Sequence, residues 1–276
     1  MGRKEHGRDE KHSRRDRRKK KGGIISTVIL IVAICVFAFS AFQLYKIFNG
    51  YHKGESEYDD LVKLAVTEDK GEQENGTDDQ DGSRFSVDFD ALRQINPDVV
   101  AWIRFDEPAV INYPVVQGSD NSEYLSKTFK GYDNTVGTIF VNAYNHADFN
   151  DRNTIIYGHY MYNGTMFNEL EQYHEKSFWE KYPSFYIYTP DGKTRTYTVF
   201  SAAVVKDTAD QYNLTYATDE AFESYLKMCK EDSAYDTGTE VNAQSQIVSL
   251  STCTNVREDE RFLLQGVLTA TDGGED

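Results

Sequence analysis

Ile247-Val248-Ser249-Leu250-Ser251-Thr252-Cys253-Thr254-Asn255 is an apolar, β-prone run that ends at a cysteine and turns polar directly after it. Such a run reads as a strand whose end presents a thiol. A second stretch has the same form. Asn153-Thr154-Ile155-Ile156-Tyr157-Gly158-His159 is β-rich up to its glycine, and a histidine follows at once. Eight residues beyond the cysteine, Arg261 opens a third run, Phe262-Leu263-Leu264-Gln265-Gly266-Val267-Leu268. Thiol, imidazole and guanidinium are the groups of nucleophilic acyl chemistry: one attacks a carbonyl, one moves protons, one steadies the oxyanion. Strand ends suit them, because a rigid sheet fixes a side chain while its tip reaches a groove. Taken singly, each has a plainer reading. A free cysteine is commonly a small core residue, a histidine serves many turns and surfaces, and an arginine is a surface charge. His146, in the polar loop Asn145-His146-Ala147-Asp148, is the strongest competing histidine.

Working outward, residues 100–105, 111–116, 138–142, 154–157, 184–189, 194–205, 246–252 and 262–269 are predicted strands, rich in Val, Ile, Tyr, Phe and Thr. Helices are few. One is predicted at 88–95, with Asp88 as N-cap, Phe89, Leu92 and Ile95 at helical spacing, and Asn96-Pro97-Asp98 ending it. Another falls at 165–173. The clearest covers 219–230, with Phe222, Tyr225, Leu226 and Cys229 on one face. Many short antiparallel strands with few helices predict a mainly β fold: a closed or nearly closed eight-stranded β-barrel with N-terminal and inserted helices.

Charge divides the chain. Residues 1–21 hold eleven Lys/Arg and four Asp/Glu, a net of +7; the whole chain is −15, so the remainder carries −22. An acidic body gives phosphate backbones nothing to bind, so nucleic acid is not an expected partner. Residues 22–45 carry no charge and are long enough to span a bilayer as a helix, and Arg14-Arg15-Asp16-Arg17-Arg18-Lys19-Lys20-Lys21 precedes them directly. Positive charge stays inside, so this reads as a transmembrane signal anchor with 1–21 as a basic cytoplasmic arm and the body outside. The alternative is a cleaved signal peptide, for which Ala38-Phe39-Ser40 would serve as the cleavage site; the length of the apolar run favours the anchor.

Residues 46–84 are expected to be an acidic flexible linker, with a short helix around Tyr58-Asp59-Asp60-Leu61-Val62-Lys63-Leu64; 67–83, TEDKGEQENGTDDQDGS, holds no large apolar residue. The catalytic domain is expected at 85–270 and a loose tail at 271–276. Only Cys35, Cys229 and Cys253 are present, too few for a disulfide-stapled exported domain, and Cys229 on its helix reads as core rather than as a partner for Cys253. No metal or cofactor is expected. The acidic run lacks the ligand spacing of a calcium loop, no Cys/His spacing matches zinc, and no glycine-rich phosphate loop occurs.

Together these residues resemble the sortases, most closely class B. The family's Thr-Leu-x-Thr-Cys motif stands here as Ser249-Leu250-Ser251-Thr252-Cys253, and Asn153 to His159 is similar to its histidine motif. Tyr113-Pro114-Val115-Val116-Gln117-Gly118 and Gly137-Thr138-Ile139-Phe140 also look like class B segments, and the inserted helix at 219–230 is a class B feature. The resemblance covers about 85–269. It implies the eight-stranded sortase barrel and a cysteine transpeptidase: Cys253 as nucleophile, His159 as general acid and base, Arg261 hydrogen-bonding the oxyanion or orienting the substrate. The implied partners are surface proteins bearing a C-terminal sorting signal and a peptidoglycan precursor amine. Ser251 and Thr252 are expected in the substrate groove. Asn121 and Leu125 match a family Asn-x-x-x-Leu pair lining the peptide site; their plainer readings are a helix cap and a core leucine. Some class B members have Asp two residues after the cysteine; here Asn255 stands there, so no catalytic acid is assigned. Polymerisation of pilin subunits onto a lysine, hydrolysis, and a non-enzymatic surface-binding barrel are the alternatives.

Overall fold

All eight predicted strands form, because each alternates or continues apolar residues over a length that a sheet can bury. The computed structural model describes residues 9–69, 84–106 and 111–274. In chain order it contains α1 (Asp9–Ala65), β1 (Val66–Asp69), β2 (Arg84–Val87), α2 (Phe89–Ile95), β3 (Val99–Arg104), β4 (Asn112–Val116), β5 (Ile139–Val141), β6 (Asn153–Tyr157), α3 (Lys176–Trp179), β7 (Ser184–Tyr188), β8 (Lys193–Lys206), α4 (Asp219–Asp232), β9 (Ile247–Cys253) and β10 (Glu260–Gly273). Strands β3 to β10 close into a barrel in the order β10-β8-β7-β3-β4-β5-β6-β9, with β9 pairing back onto β10.

The barrel is not wholly antiparallel, as the sequence suggested. β4 pairs with β5, and β6 with β9, in parallel. Parallel neighbours need long crossovers rather than tight turns. The first connection carries a 3₁₀ turn at Glu123–Leu125; the second includes a 3₁₀ turn at Asn168–His174, α3, β7, β8, a 3₁₀ turn at Asp210–Tyr212 and α4. The helix expected at 165–173 is thus a 3₁₀ turn followed by a single α-turn.

The two faces of β9 have different neighbours. Val248 and Leu250 join the barrel core with Phe262, Leu264, Trp102, Phe185 and Tyr197. Ile247 faces outward and packs with Phe222, Tyr225, Leu226 and Cys229 of α4, whose first turn is capped by Thr218 accepting from the Ala221 amide. Burial on both faces explains why β9 reads as a nearly continuous apolar run.

The chain divides into two units, 1–50 and 51–276. In the first, α1 exposes Val28, Ile29, Leu30, Ile31, Phe37 and Phe39, and it is long and apolar enough to cross a membrane by length and composition. In the second, the end of α1 is folded against the barrel: Glu57, Tyr58, Leu61 and Ala65 are buried. The expected linker 46–84 is therefore ordered at both of its ends. The apolar stripe on α1 is narrow and flanked by charge, which disguised it. β1 pairs with β2 through backbone hydrogen bonds that need no apolar side chain. The acidic run 70–83, residues 1–8 of the basic arm and the last two residues of the tail lie outside the described residues. The start of the expected tail is not loose: Thr271, Asp272 and Gly273 continue β10 and pair with β8.

Leu61→Ala should destabilise the folded unit by about 2–5 kcal/mol, the usual cost of emptying a buried leucine site. Urea denaturation followed by the fluorescence of Trp102 and Trp179 measures it. An unchanged midpoint would remove the end of α1 from the cooperative unit.

Candidate active site

The register of three strands builds the site. On β9, Cys253 ends the strand directly opposite Arg261 of β10, and Ser251 stands opposite Tyr157 of β6. Directly opposed residues project from the same face of a sheet, and side chains two apart along a strand share that face. Ser251 and Cys253 therefore lie on the outward face, in line with Ile247. His159 follows Tyr157 by two residues. One cleft of about 480 Å³ is lined by Cys253, His159 and Arg261, with Ser251, Thr252, Asn121 and Leu125 around them. All seven residues singled out in the sequence meet in it.

The histidine is oriented by a main-chain group. Its Nε2 lies 2.7 Å from the carbonyl oxygen of Leu125. A carbonyl only accepts, so Nε2 carries the proton and Nδ1 is the open nitrogen of the neutral ring. The Leu125 side chain is 43% exposed, which excludes the core reading for it. Asn121 is no helix cap either: its side-chain oxygen accepts from the Ala143 amide at 2.7 Å and ties two loops together at the cleft. Asp120 performs the local capping, accepting from the amides of Ser122 and Glu123.

The guanidinium of Arg261 is fixed from behind. Nη1 donates to the carbonyls of Glu258 (2.7 Å) and Glu260 (2.8 Å), and Nη2 lies 3.5 Å from Oδ2 of Asp207. Its side chain keeps 24% of its exposure. Asp207 was not foreseen, because it lies just past β8 with no motif around it. Tyr157, Tyr212, Phe140 and Asn142 also line the cleft. Tyr157 was recoverable from the alternation that points it the same way as His159. Tyr212 shares a 2.8 Å hydrogen bond with Ser251, stacks on Tyr157 with ring centroids 6.5 Å apart, and has its hydroxyl pushed up to about 12 by burial. Both hydroxyls stay protonated at neutral pH. The Thr252 hydroxyl is buried and has no hydrogen-bond partner among the described residues.

Asn255 does not serve as an acid. It takes a left-handed backbone, φ 56°, and its amide donates to the Tyr160 carbonyl at 3.3 Å, joining the loops that follow Cys253 and His159. His146, the competing histidine, is paired with Asp151 at 2.7 Å, which raises its pKa through that hydrogen bond, and it is not among the residues lining the cleft. No group of His, Cys, Asp or Glu among the described residues is placed to hold a metal. Cys229 lies in the α4 packing, its thiol pushed up to about 11 by burial.

A β-barrel with a cysteine at a strand end, a histidine just past the end of one neighbouring strand and an arginine on the other is the architecture of a cysteine transpeptidase. The sortase domain family model matches residues 106–269, and the chain belongs to the sortase family. It is similar to sortase B of Listeria monocytogenes, 31% identical over 245 residues that cover 87% of this chain and 95% of the relative. Among solved structures, sortase B of B. anthracis in complex with AAEK1 is 30% identical, with a TM-score of 0.66 over 81% of this chain and 99% of that one. The Staphylococcus aureus sortase B–substrate complex is 30% identical, with a TM-score of 0.61 over 66% and 84%.

In a Cys35→Ser background held in detergent micelles, iodoacetamide at pH 8 should modify Cys253 and spare Cys229, while urea should open both. Peptide mass mapping distinguishes them. Equal labelling of Cys229 in the native protein would contradict its assignment as an inert core thiol.

Proposed function

We propose that this chain is a membrane-anchored sorting transpeptidase of the class B type, working outside the cell on surface proteins that carry a C-terminal sorting signal. The observation that carries this reading is the opposition of Cys253 and Arg261 across β9 and β10, with His159 in the same cleft. Cys253 passes its thiol proton to His159, and the sulfur attacks the carbonyl carbon of a threonine in the signal, forming the S–C bond. Arg261, held by the Glu258 and Glu260 carbonyls and Asp207, faces the oxygen that becomes negative. The C–N bond then breaks, and protonated His159 gives its proton to the leaving amine. A peptidoglycan precursor amine enters, His159 takes its proton, the new amide forms and the thiolate departs. Pre-setting the three groups on one sheet lowers the cost of bringing them together in each step.

Ser251, Thr252, Asn121 and Leu125 line the groove beside the nucleophile. The open cleft of about 480 Å³ supports the peptide reading, as does the substrate complex of the S. aureus relative. The uncharged run 22–45 behind a basic arm supports a single-pass anchor in the cell membrane with its N-terminus in the cytoplasm.

The full chain in detergent micelles, given fluorogenic sorting peptides with and without amine acceptors, tests this. Cys253→Ala should abolish turnover, Arg261→Lys should lower kcat by about 10²–10³-fold, and His159→Ala by about 10²–10⁴-fold. Joined product should form only with an amine present. Intact turnover in Cys253→Ala would overturn the nucleophile. Release without joining under every acceptor would make the protein a hydrolase, and joining to lysine side chains alone would make it a polymerase of pilins.

A further inference from the structure

The carbonyl that orients His159 rests on a glycine. Gly137 has φ +63°, and a Cβ there would stand 2.7 Å from the Tyr124 carbonyl oxygen, 3.0 Å from that of Leu125 and 3.0 Å from Cδ2 of His159. The Gly137 peptide thus forms the floor under both the imidazole and its acceptor. Only glycine combines this backbone with so close an approach.

The opposite side of that peptide is held by the end of α1. Tyr58 is 4% exposed; its hydroxyl donates to the Gly137 carbonyl at 2.5 Å and lies 3.1 Å from Oγ1 of Thr138. Burial raises its pKa far above the ordinary tyrosine value, so it remains a donor throughout the working range. Thr138 in turn donates its hydroxyl to the Lys127 carbonyl and its amide to the Tyr124 carbonyl, so the segment carrying Leu125 is tied to the same point. Two further contacts seat the helix beside it. The Glu57 carboxylate accepts from the Lys130 amide at 2.8 Å, and Gly54 lies against Val136.

Tyr58 reaches the histidine by a second route. Its ring meets Tyr113 edge-on, with centroids 5.4 Å apart. The Tyr113 hydroxyl accepts from the Met166 amide at 3.2 Å, Met166 bridges to Tyr160, and the Phe167 amide donates to the carbonyl of His159. One side chain therefore braces the acceptor of the imidazole on one side and the loop carrying its backbone on the other.

We propose that Tyr58 is a positioning residue for His159, so that the end of α1 is part of the active-site machinery and not merely a tether. This rests on the catalytic role given to His159 above. Loss of the Tyr58 hydroxyl leaves the Gly137 carbonyl buried without its donor. The Gly137 peptide then turns or admits water, and the Leu125 carbonyl loses its fixed place. The imidazole is left free to exchange tautomers and to rotate, while Cys253 and Arg261, held by their own ladder, do not move.

The test is Tyr58→Phe in the full chain in detergent micelles, with histidine labelled in ¹⁵N. Phe222→Leu, on the buried face of α4 and not among the residues lining the cleft, serves as a control for loss of stability alone. At pH 8 the wild-type His159 resonances should show the Nε2–H tautomer only. Tyr58→Phe should show a mixture of tautomers, a kcat for the sorting peptide lowered between about tenfold and a hundredfold, a displaced pH profile and an unchanged KM. Phe222→Leu should lower Tm and leave the tautomer as it was. An unaltered His159 spectrum in Tyr58→Phe, or the same change in Phe222→Leu, overturns the proposal. The spectrum does not depend on turnover, so an inactive wild-type chain would count against the transpeptidase reading and leave this result standing.

Discussion

The pairing of β9 with both its neighbours is the constraint on which the molecule depends. Cys253 has no means of finding its partners except through backbone hydrogen bonds made several residues earlier. The antiparallel ladder to β10 fixes Arg261 opposite it, and the parallel ladder to β6 carries His159 past the same edge. Side chains alternate with a period of two, so a slip of one residue would turn the thiol into the barrel core and take it out of line with Arg261. What resists the slip is burial on both faces: Val248 and Leu250 fit only inside, and Ile247 fits only under α4.

Between the apolar seat of α4 and the cleft lies a polar layer that holds the register a second time. The Ser249 hydroxyl donates to the Asn153 side-chain oxygen, the Gln265 amide donates to Ser249 and to Tyr225, and Tyr225 donates to the Gln211 carbonyl. These groups come from β9, β6, β10, α4 and the 3₁₀ turn at Asp210–Tyr212. Each such bond adds only about 1 kcal/mol net, but breaking one member leaves buried groups unpaired. One step further along the strands, Tyr212 bonds Ser251 at the cleft wall. The inserted helix thus shares this layer with β9 and lines no part of the cleft.

Much of this was legible in the residues. The strands announced themselves by composition, and Cys253, His159 and Arg261 by standing where apolar runs give way to polar turns. Convergence was not legible from periodicity, because which strands adjoin is decided by long crossovers. Two parallel pairings went unseen for that reason. The end of α1 was half seen. A short helix around Tyr58 was expected, but its apolar stripe of Tyr58, Leu61 and Ala65 lies among Glu55, Glu57, Asp59, Asp60 and Lys63 and reads as solvated. Asp207 and the Leu125 carbonyl carry no sequence signal at all: one is a lone charge after a strand, the other a backbone atom that every residue possesses.

The most direct measurement is the mass of the covalent intermediate. The full chain mixed with a sorting peptide, quenched in acid within milliseconds to seconds and digested, should yield one adduct. Its mass should equal the peptide's N-terminal fragment acylated on the segment containing Cys253, with the C-terminal fragment released in equal amount. An acyl group found on Cys229 or on no residue, while peptide is consumed, would contradict the account.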